Sequence, residues 1–357
     1  MSRLDSIREK MKEREIDCLL VTDEINQHYL SHFEFQDGLL LITHKNAYLI
    51  TDFRYYEMAL SGADKSFEVV TPKDKRREFI LDAVKRDGCK RVGFEGDTLA
   101  YSAYKSYCEL LSPAELVSIG DMIEVTRQIK DDSEIEYMQR AQDIADKALS
   151  DVLRILTPNM TEIEVAAEIE YAMRRAGADG VSFGTIAVSG DASALPHGTP
   201  RNVKLKSGFL TMDFGAKYKG YCSDMTRTVS IGRATDDMKK LYNTVLSAQL
   251  AALDFLRAGV DAAEADKVAR DIIDSYPEFK GAFGHSLGHS VGLLVHESPA
   301  LSPKSKGRAL RVGEILTVEP GIYLFGKYGC RIEDMVKIEE GGVYNFTKSP
   351  KELIEIY

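Results

Sequence analysis

The second half of the chain carries a repeat spaced by one hundred residues, and this constrains the fold more than any other feature. Leu156-Thr-Pro-Asn-Met-Thr161-Glu-Ile-Glu164 returns as Leu256-Arg-Ala-Gly-Val-Asp261-Ala-Ala-Glu264. In each copy a long run with helical periodicity ends, a short turn follows, and a capping box (Thr161/Glu164 or Asp261/Glu264) opens the next helix. After each helix pair the chain becomes β-rich. The order helix, helix, strands therefore occurs twice. It predicts two related halves about a pseudo-twofold axis, with any shared site where their sheets meet.

A chain of 357 residues exceeds one comfortable core, so two domains are expected. Residues 1–125 alternate strand patterns (Ile16–Val21, Leu39–Ile42, Ala47–Thr51, Phe67–Thr71, Arg91–Phe94, Glu115–Ile119) with helix patterns near Leu4–Arg14, Phe53–Ser61, Lys75–Asp87 and Leu99–Leu111. That is an α/β layer arrangement. It gathers no catalytic residue types and reads as a scaffold or oligomerisation domain. After the charged stretch Arg127-Gln-Ile-Lys-Asp-Asp132 the style changes, and Ser133 with Glu136 reads as a capping box for a helix running to Leu156. Residues 126–357 form the second expected domain, of α+β type.

A net charge of -10 argues against nucleic acid and anionic membrane as partners, since both demand cationic surface. No apolar run approaches transmembrane length, and Met1-Ser-Arg-Leu-Asp5 lacks the apolar core of a signal peptide, so a cytoplasmic location is expected. The five cysteines are odd in number and never spaced CxxC, which argues against a disulfide framework or a zinc-thiolate site.

The chemistry gathers in the β-rich segments. Asp213 and Asp224 flank a polar turn around Tyr218-Lys219; a turn centred on that pair sets the two aspartates opposite each other, with Cβ atoms about 4.5–5.5 Å apart. Like charges so placed repel, and a hard cation bound by oxygen compensates. Glu319 and Glu333, folded about Gly326, make a second facing pair. Any one of these acids, taken alone, is equally well read as solvated or salt-bridged on a strand face. Two pairs, one in each half, favour the cation.

Between the hairpins, His285, His289 and His296 fall within twelve positions of a chain that has seven histidines. His289 is the candidate imidazole ligand, with His285 and His296 at hand for supporting or catalytic work. The pattern is not HExxH. His197, on the turn-rich loop Ala194–Pro200, approaches from the first half, on the side opposite His296. Four carboxylates and one imidazole suit two bridged divalent cations; oxygen-rich ligation favours Mn²⁺, with Co²⁺ or Zn²⁺ as alternatives. Paired cations polarise a carbonyl and acidify the water between them, so hydrolysis of an amide or ester is the expected reaction. Gly321–Tyr328 nearly spells a P-loop, but Tyr328 stands where Ser or Thr is required. Cys222 and Cys330, beside the acid-bearing strands, read as buried inert thiols.

Asp213, Asp224, His285-x-x-x-His289, Glu319-Pro-Gly and Arg331-Ile-Glu333-Asp resemble the pita-bread metallopeptidases: aminopeptidase P, prolidase and methionine aminopeptidase. The likeness covers residues 130–357. Tyr29-Leu-Ser and Ile50-Thr-Asp-Phe-Arg resemble the creatinase/prolidase N-terminal domain, although His32 stands where that family often has glycine. The resemblance implies that Asp213 binds one metal, that Asp224 and Glu333 bridge two, and that His289 and Glu319 complete the other. It implies that Glu319 shuttles the proton and that His296 and His197 steady the tetrahedral intermediate and hold the substrate around proline. Tyr323, Arg331 and His285 resemble supporting residues. Methionine aminopeptidases generally lack the N-terminal domain, and creatinases lack the full ligand set. In His296-Glu-Ser-Pro-Ala300, alanine replaces the arginine that several prolidases carry for a substrate carboxylate. The expectation is an Xaa-Pro aminopeptidase acting on small proline-containing peptides, as a homodimer; the alternative is an Xaa-Pro dipeptidase. A non-catalytic peptide-binding module of the same fold predicts lost ligands, and none is missing.

Overall fold

The computed structural model describes residues 2–357, in two compact units divided between Arg127 and Gln128. The first unit is built on a six-stranded sheet in the order Glu68–Val70, Ala47–Ile50, Leu39–Thr43, Cys18–Val21, Arg91–Phe94, Glu115–Ser118. One face is sealed by Ile80, Ala83 and Val84 of the helix Arg76–Arg86, which pack with Leu20, Leu41, Ile50 and Val92. Two helices not foreseen from the sequence, Glu24–Ser31 and Met122–Arg127, belong to a polar interior that hydrophobic periodicity does not reveal. There Glu95 accepts from the backbone N–H groups of Thr22 and Asp23, and Asn26 donates to both Glu95 and Glu124. His32 closes the helix Glu24–Ser31 at φ 56°, ψ 19°. This left-handed geometry is easiest for glycine, and its N–H satisfies the His28 carbonyl.

In the second unit the helices Asp132–Ile155 and Glu162–Arg175 are matched by Asp236–Phe255 and Ala262–Asp274. The first is capped by Asp131 with Glu134 in reciprocal bonds, two residues before the Ser133/Glu136 box expected. Asp131 is the residue still extended, and the Ser133 hydroxyl merely donates back to its carboxylate at 2.6 Å. Thr161 and Glu164 form the expected box. Asp261 caps alone instead: Oδ1 takes the N–H groups of Ala263 and Glu264, and Oδ2 takes that of Gly307. The halves also share isolated bridges, Thr161 to Lys204 and Asp261 to Ala309.

Each helix pair covers one face of its own sheet. Strand Gly208–Phe214 sends Leu210, Met212 and Phe214 into the first helix pair, and Met225, Val229 and Ile231 of strand Met225–Ile231 join them. Burial of each such side chain is worth roughly 1.5–3 kcal/mol. In the second half Leu316, Val318, Cys330, Ile332, Val336 and Ile338 do the same against Leu241, Val245, Ala265 and Ala269. Side chains alternate along a strand, so Thr211, Asp213, Thr226, Thr228, Thr317, Arg331 and Glu333 point from the opposite faces. Those polar faces meet: Thr228 donates to the Arg331 carbonyl and Thr226 to the Glu333 carboxylate.

Candidate metal centre and active site

The two hairpins set the acids differently. Glycine is required where the backbone turns left-handed; in the first hairpin that place is Gly220 (φ 80°), with Lys219 also at φ 51°. The two-residue turn is therefore Lys219-Gly220, pairing Tyr218 with Tyr221 and Asp213 with Thr226. The expected facing of Asp213 with Asp224 is corrected by this register. A shift of two residues preserves the face, so both aspartates still look the same way, diagonally rather than directly opposed. In the second hairpin Gly326 (φ 73°) lies at the turn. Gly321 pairs with Arg331 and Val318 with Asp334, so Glu319 stands opposite Glu333.

The structure brings Asp224, His289 and Glu333 together: their ligand atoms all lie within 4.8 Å of one another. His289 Nε2 is 3.6 Å from Asp224 Oδ2 and 3.4 Å from Glu319 Oε1. Asp213 is turned partly aside. Its Oδ2 accepts from Arg331 Nη2 at 2.5 Å, while Oδ1 is buried with no hydrogen-bond partner. Arg331 is fully committed: Nη1 donates to the Tyr323 hydroxyl at 2.7 Å and Nε to Thr226 Oγ1 at 3.0 Å. The Tyr323 hydroxyl also lies 3.0 Å from His285 Nε2. His285 Nδ1 is 4.0 Å from Glu319 Oε2, and the His296 ring is 4.3 Å from that of His289.

The electrostatics are those of a crowded anionic pocket. Burial, then Glu333, Asp213 and Glu319, hold the Asp224 carboxyl well above its ordinary range. Burial, then Glu319 and Asp213, do the same to Glu333. Glu319 is pushed up to about 8, by burial first. Burial lowers His289 and His285 to about 4, with His296 and Arg331 respectively adding to the effect, so both imidazoles are neutral near pH 7. Four acids face one guanidinium, one acid oxygen has no partner, and a neutral imidazole points at the cluster. This donor set fits divalent cations.

A cavity of about 620 Å³ opens over the cluster, and His197, His296, Phe183, Ile186, Val295 and Ala300 contribute to its walls. Sequence reasoning passed over the two threonines that hold the second acid pair: Thr226 Oγ1 donates to Glu333 at 2.7 Å and Thr317 Oγ1 to Glu319 at 3.2 Å. Each lies on a strand that adjoins an acid, Thr226 on Met225–Ile231 two residues after Asp224 and Thr317 on Ile315–Val318 two before Glu319, a period-two signal that was available. The near-P-loop segment is the strand–turn–strand Gly321–Arg331. Burial pushes the Cys222 and Cys330 thiols up to about 11 and about 12, which keeps them protonated.

Comparison with known proteins places these residues in a family. The profile of metallopeptidase family M24 matches residues 136–340, and that of the creatinase/prolidase N-terminal domain matches residues 3–129. The chain is 42% identical to the uncharacterized peptidase YqhT of Bacillus subtilis over 99% of both chains. Among solved structures, it is similar to an Xaa-Pro dipeptidase from Bacillus anthracis (TM-score 0.95, 42% identity, 99% of both chains). It is also similar to an X-Pro aminopeptidase from Thermotoga maritima (TM-score 0.91, 36% identity, 96% of this chain and 99% of that one). The chain belongs to metallopeptidase family M24, with the pita-bread fold and the creatinase/prolidase N-terminal domain, and is a metal-dependent hydrolase.

Proposed function

We propose that this protein hydrolyses the bond between an N-terminal residue and a following proline, in Xaa-Pro dipeptides and in longer peptides with the same start. The observation that carries the reading is the packing of Asp224, His289 and Glu333 within 4.8 Å beside Glu319 and Asp213, beneath a cavity with apolar walls. Catalysis is assigned to residues 126–357, and a scaffold or oligomerisation role, as a homodimer in the cytoplasm, to residues 1–125.

Asp213, Asp224, His289, Glu319 and Glu333 would hold two divalent cations, Mn²⁺ first among the candidates. Such a pair, when bound, polarises the scissile carbonyl and acidifies water. Glu319 takes the proton of the attacking water and returns it to the leaving imino nitrogen; the Thr317 hydroxyl, fixed by the His289 N–H at 3.0 Å, orients its Oε1. His296 and His197, on the cavity wall, donate to the oxygen of the tetrahedral intermediate and steady the substrate. Arg331 and Tyr323 keep Asp213 and His285 in place.

The more similar of the two named solved relatives is a dipeptidase, which supports the dipeptide substrate. The cavity supports the longer one. Ala300 lines it, and Arg331, the one lysine or arginine among the described residues lining it, is already bonded to Asp213, Tyr323 and Thr226. Among the described residues lining the cavity, no lysine or arginine is spare for a dipeptide's carboxylate. Hydrolysis of Ala-Pro and Ala-Pro-Ala-Ala, each with Mn²⁺, tests both. Release of alanine from both is expected; release from Ala-Pro alone removes the aminopeptidase half of the reading, and release from neither removes the proline specificity.

A further inference from the structure

Lys130 lies just ahead of the helix Asp132–Ile155, outside the walls of the cavity. Its ammonium is nonetheless buried, with its side chain 1% exposed and that of Glu297 7% exposed. Nζ stands 3.2 Å from Glu297 Oε2 and 3.4 Å from Ser290 Oγ. Both contacts fall one residue beyond a site histidine: Ser290 follows His289, and Glu297 follows His296. The two are also cross-strand partners, with a register irregularity between His289 and Ser290 that takes the chain from the pair His289–Ala300 to the pair Ser290–Glu297.

The Glu297 carboxylate in turn shapes the loop that carries His296. Oε1 accepts from the Leu294 N–H at 3.1 Å. A Cβ on Gly292 would meet the carboxylate at 2.6–2.8 Å, so the loop closes on it with only a hydrogen in between. At the far end of the loop, the Gly292 carbonyl accepts from the Cys222 N–H, beside the Asp224 strand. One ammonium thus ties the strand after His289 to the strand after His296, and their rings lie 4.3 Å apart.

We infer that Lys130 is a positioning residue for the reaction: through Glu297 and Ser290 it fixes His296 relative to His289. The inference rests on the peptidase reading of the site. A buried carboxylate that loses its cation moves toward water or takes a proton, and either response reshapes the loop of residues 292–296. A displacement of about 1 Å at a catalytic group costs up to about a hundredfold in rate.

The test is steady-state kinetics of Lys130→Met, Glu297→Gln and the double variant on Ala-Pro and Ala-Pro-Ala-Ala, with metal content and thermal midpoint measured alongside. Both single variants should lose about tenfold to a hundredfold in kcat, with KM and metal content near wild type. The double variant, with no charge left to strand, should recover the midpoint while kcat stays as low as in the single variants. Wild-type kcat in Lys130→Met, or in the double variant once its midpoint recovers, overturns the inference and leaves a purely structural pair. If Lys130→Met alone does not fold, the double variant decides on the same terms. A wild-type protein that cleaves neither peptide overturns the proposed function instead, and kinetics on whichever peptide a substrate screen then identifies decides Lys130 separately.

Discussion

Arg331 and Asp213 join the two halves of the second unit: Nη2 of the one donates to Oδ2 of the other at 2.5 Å, with side chains only 4% and 13% exposed. The pair links the strand Tyr328–Arg331 of the second half to the strand Gly208–Phe214 of the first. It leaves Asp213 Oδ1 buried, with no hydrogen-bond partner.

Arg331→Ala removes the guanidinium that Asp213 is bonded to, beside the buried Asp224 and Glu333, and breaking a buried pair in this way costs about 3–5 kcal/mol. Denaturant unfolding should show that loss. Arg331→Lys should recover only part of it, because an ammonium does not reproduce the planar set of bonds to Asp213, Tyr323 and Thr226. Full stability in the lysine variant would mean that only the charge matters.

Asp224→Asn and Glu333→Gln each take one of the proposed carboxylate ligands out of the cluster. Both should lose bound metal and activity together, measured by elemental analysis of the purified protein beside a peptide assay. An Asp224→Asn protein with full turnover would show that the centre is elsewhere.

His296 touches the His289 ring and is assigned to the substrate rather than to the metal. His296→Ala should keep its metal and lose about a hundredfold to a thousandfold in kcat, the usual cost of one oxyanion donor. Loss of metal in this variant would make His296 a ligand.

For Glu319 the folded-state value of about 8 lies above the ordinary 4.5, raised by burial first. Between these values the folded protein binds more protons than the unfolded one, so stability falls as pH rises. Metal-free protein should therefore be less stable at pH 8 than at pH 5, and adding Mn²⁺ at pH 8 should restore stability while releasing protons. Asp224 and Glu333, also raised, act in the same sense, and His285 and His289, lowered to about 4, act in the opposite one below about 6.5. Comparison with Glu319→Gln isolates the Glu319 contribution: the fall between pH 5 and pH 8 should be smaller in the variant, and an equal fall in both proteins would contradict the direction assigned to Glu319.

Gly288 precedes His289 with the Thr317 carbonyl 2.0 Å from where a Cβ would stand. Gly288→Ala should force the two strands apart, lower stability by about 1–3 kcal/mol and weaken metal binding, which calorimetry can read. Unchanged metal affinity would show that His289 tolerates the shift.

Much of the candidate site's geometry was legible because strands encode faces with a period of two. Glu319 and Glu333 could be paired on paper because Gly326 marks the turn and no other residue nearby competes for it. Asp213 and Asp224 were matched on the right face but in the wrong register, since Lys219 adopts the left-handed conformation beside Gly220 and composition does not announce that. The capping box at Ser133 failed for a similar reason: Asp131, two residues earlier, is equally able to cap.

What the sequence determined by itself was the repeat and the residue types available for chemistry, because periodicity and turn residues act locally. Only the tertiary structure decided that Arg331 reaches across to Asp213, that Thr226 and Thr317 hold Glu333 and Glu319, and that Lys130 finds Glu297 across 167 positions. These contacts depend on the polar faces of two sheets closing on each other. A buried charge takes whichever partner the packing brings within about 3 Å, so distance along the chain carries no signal for it.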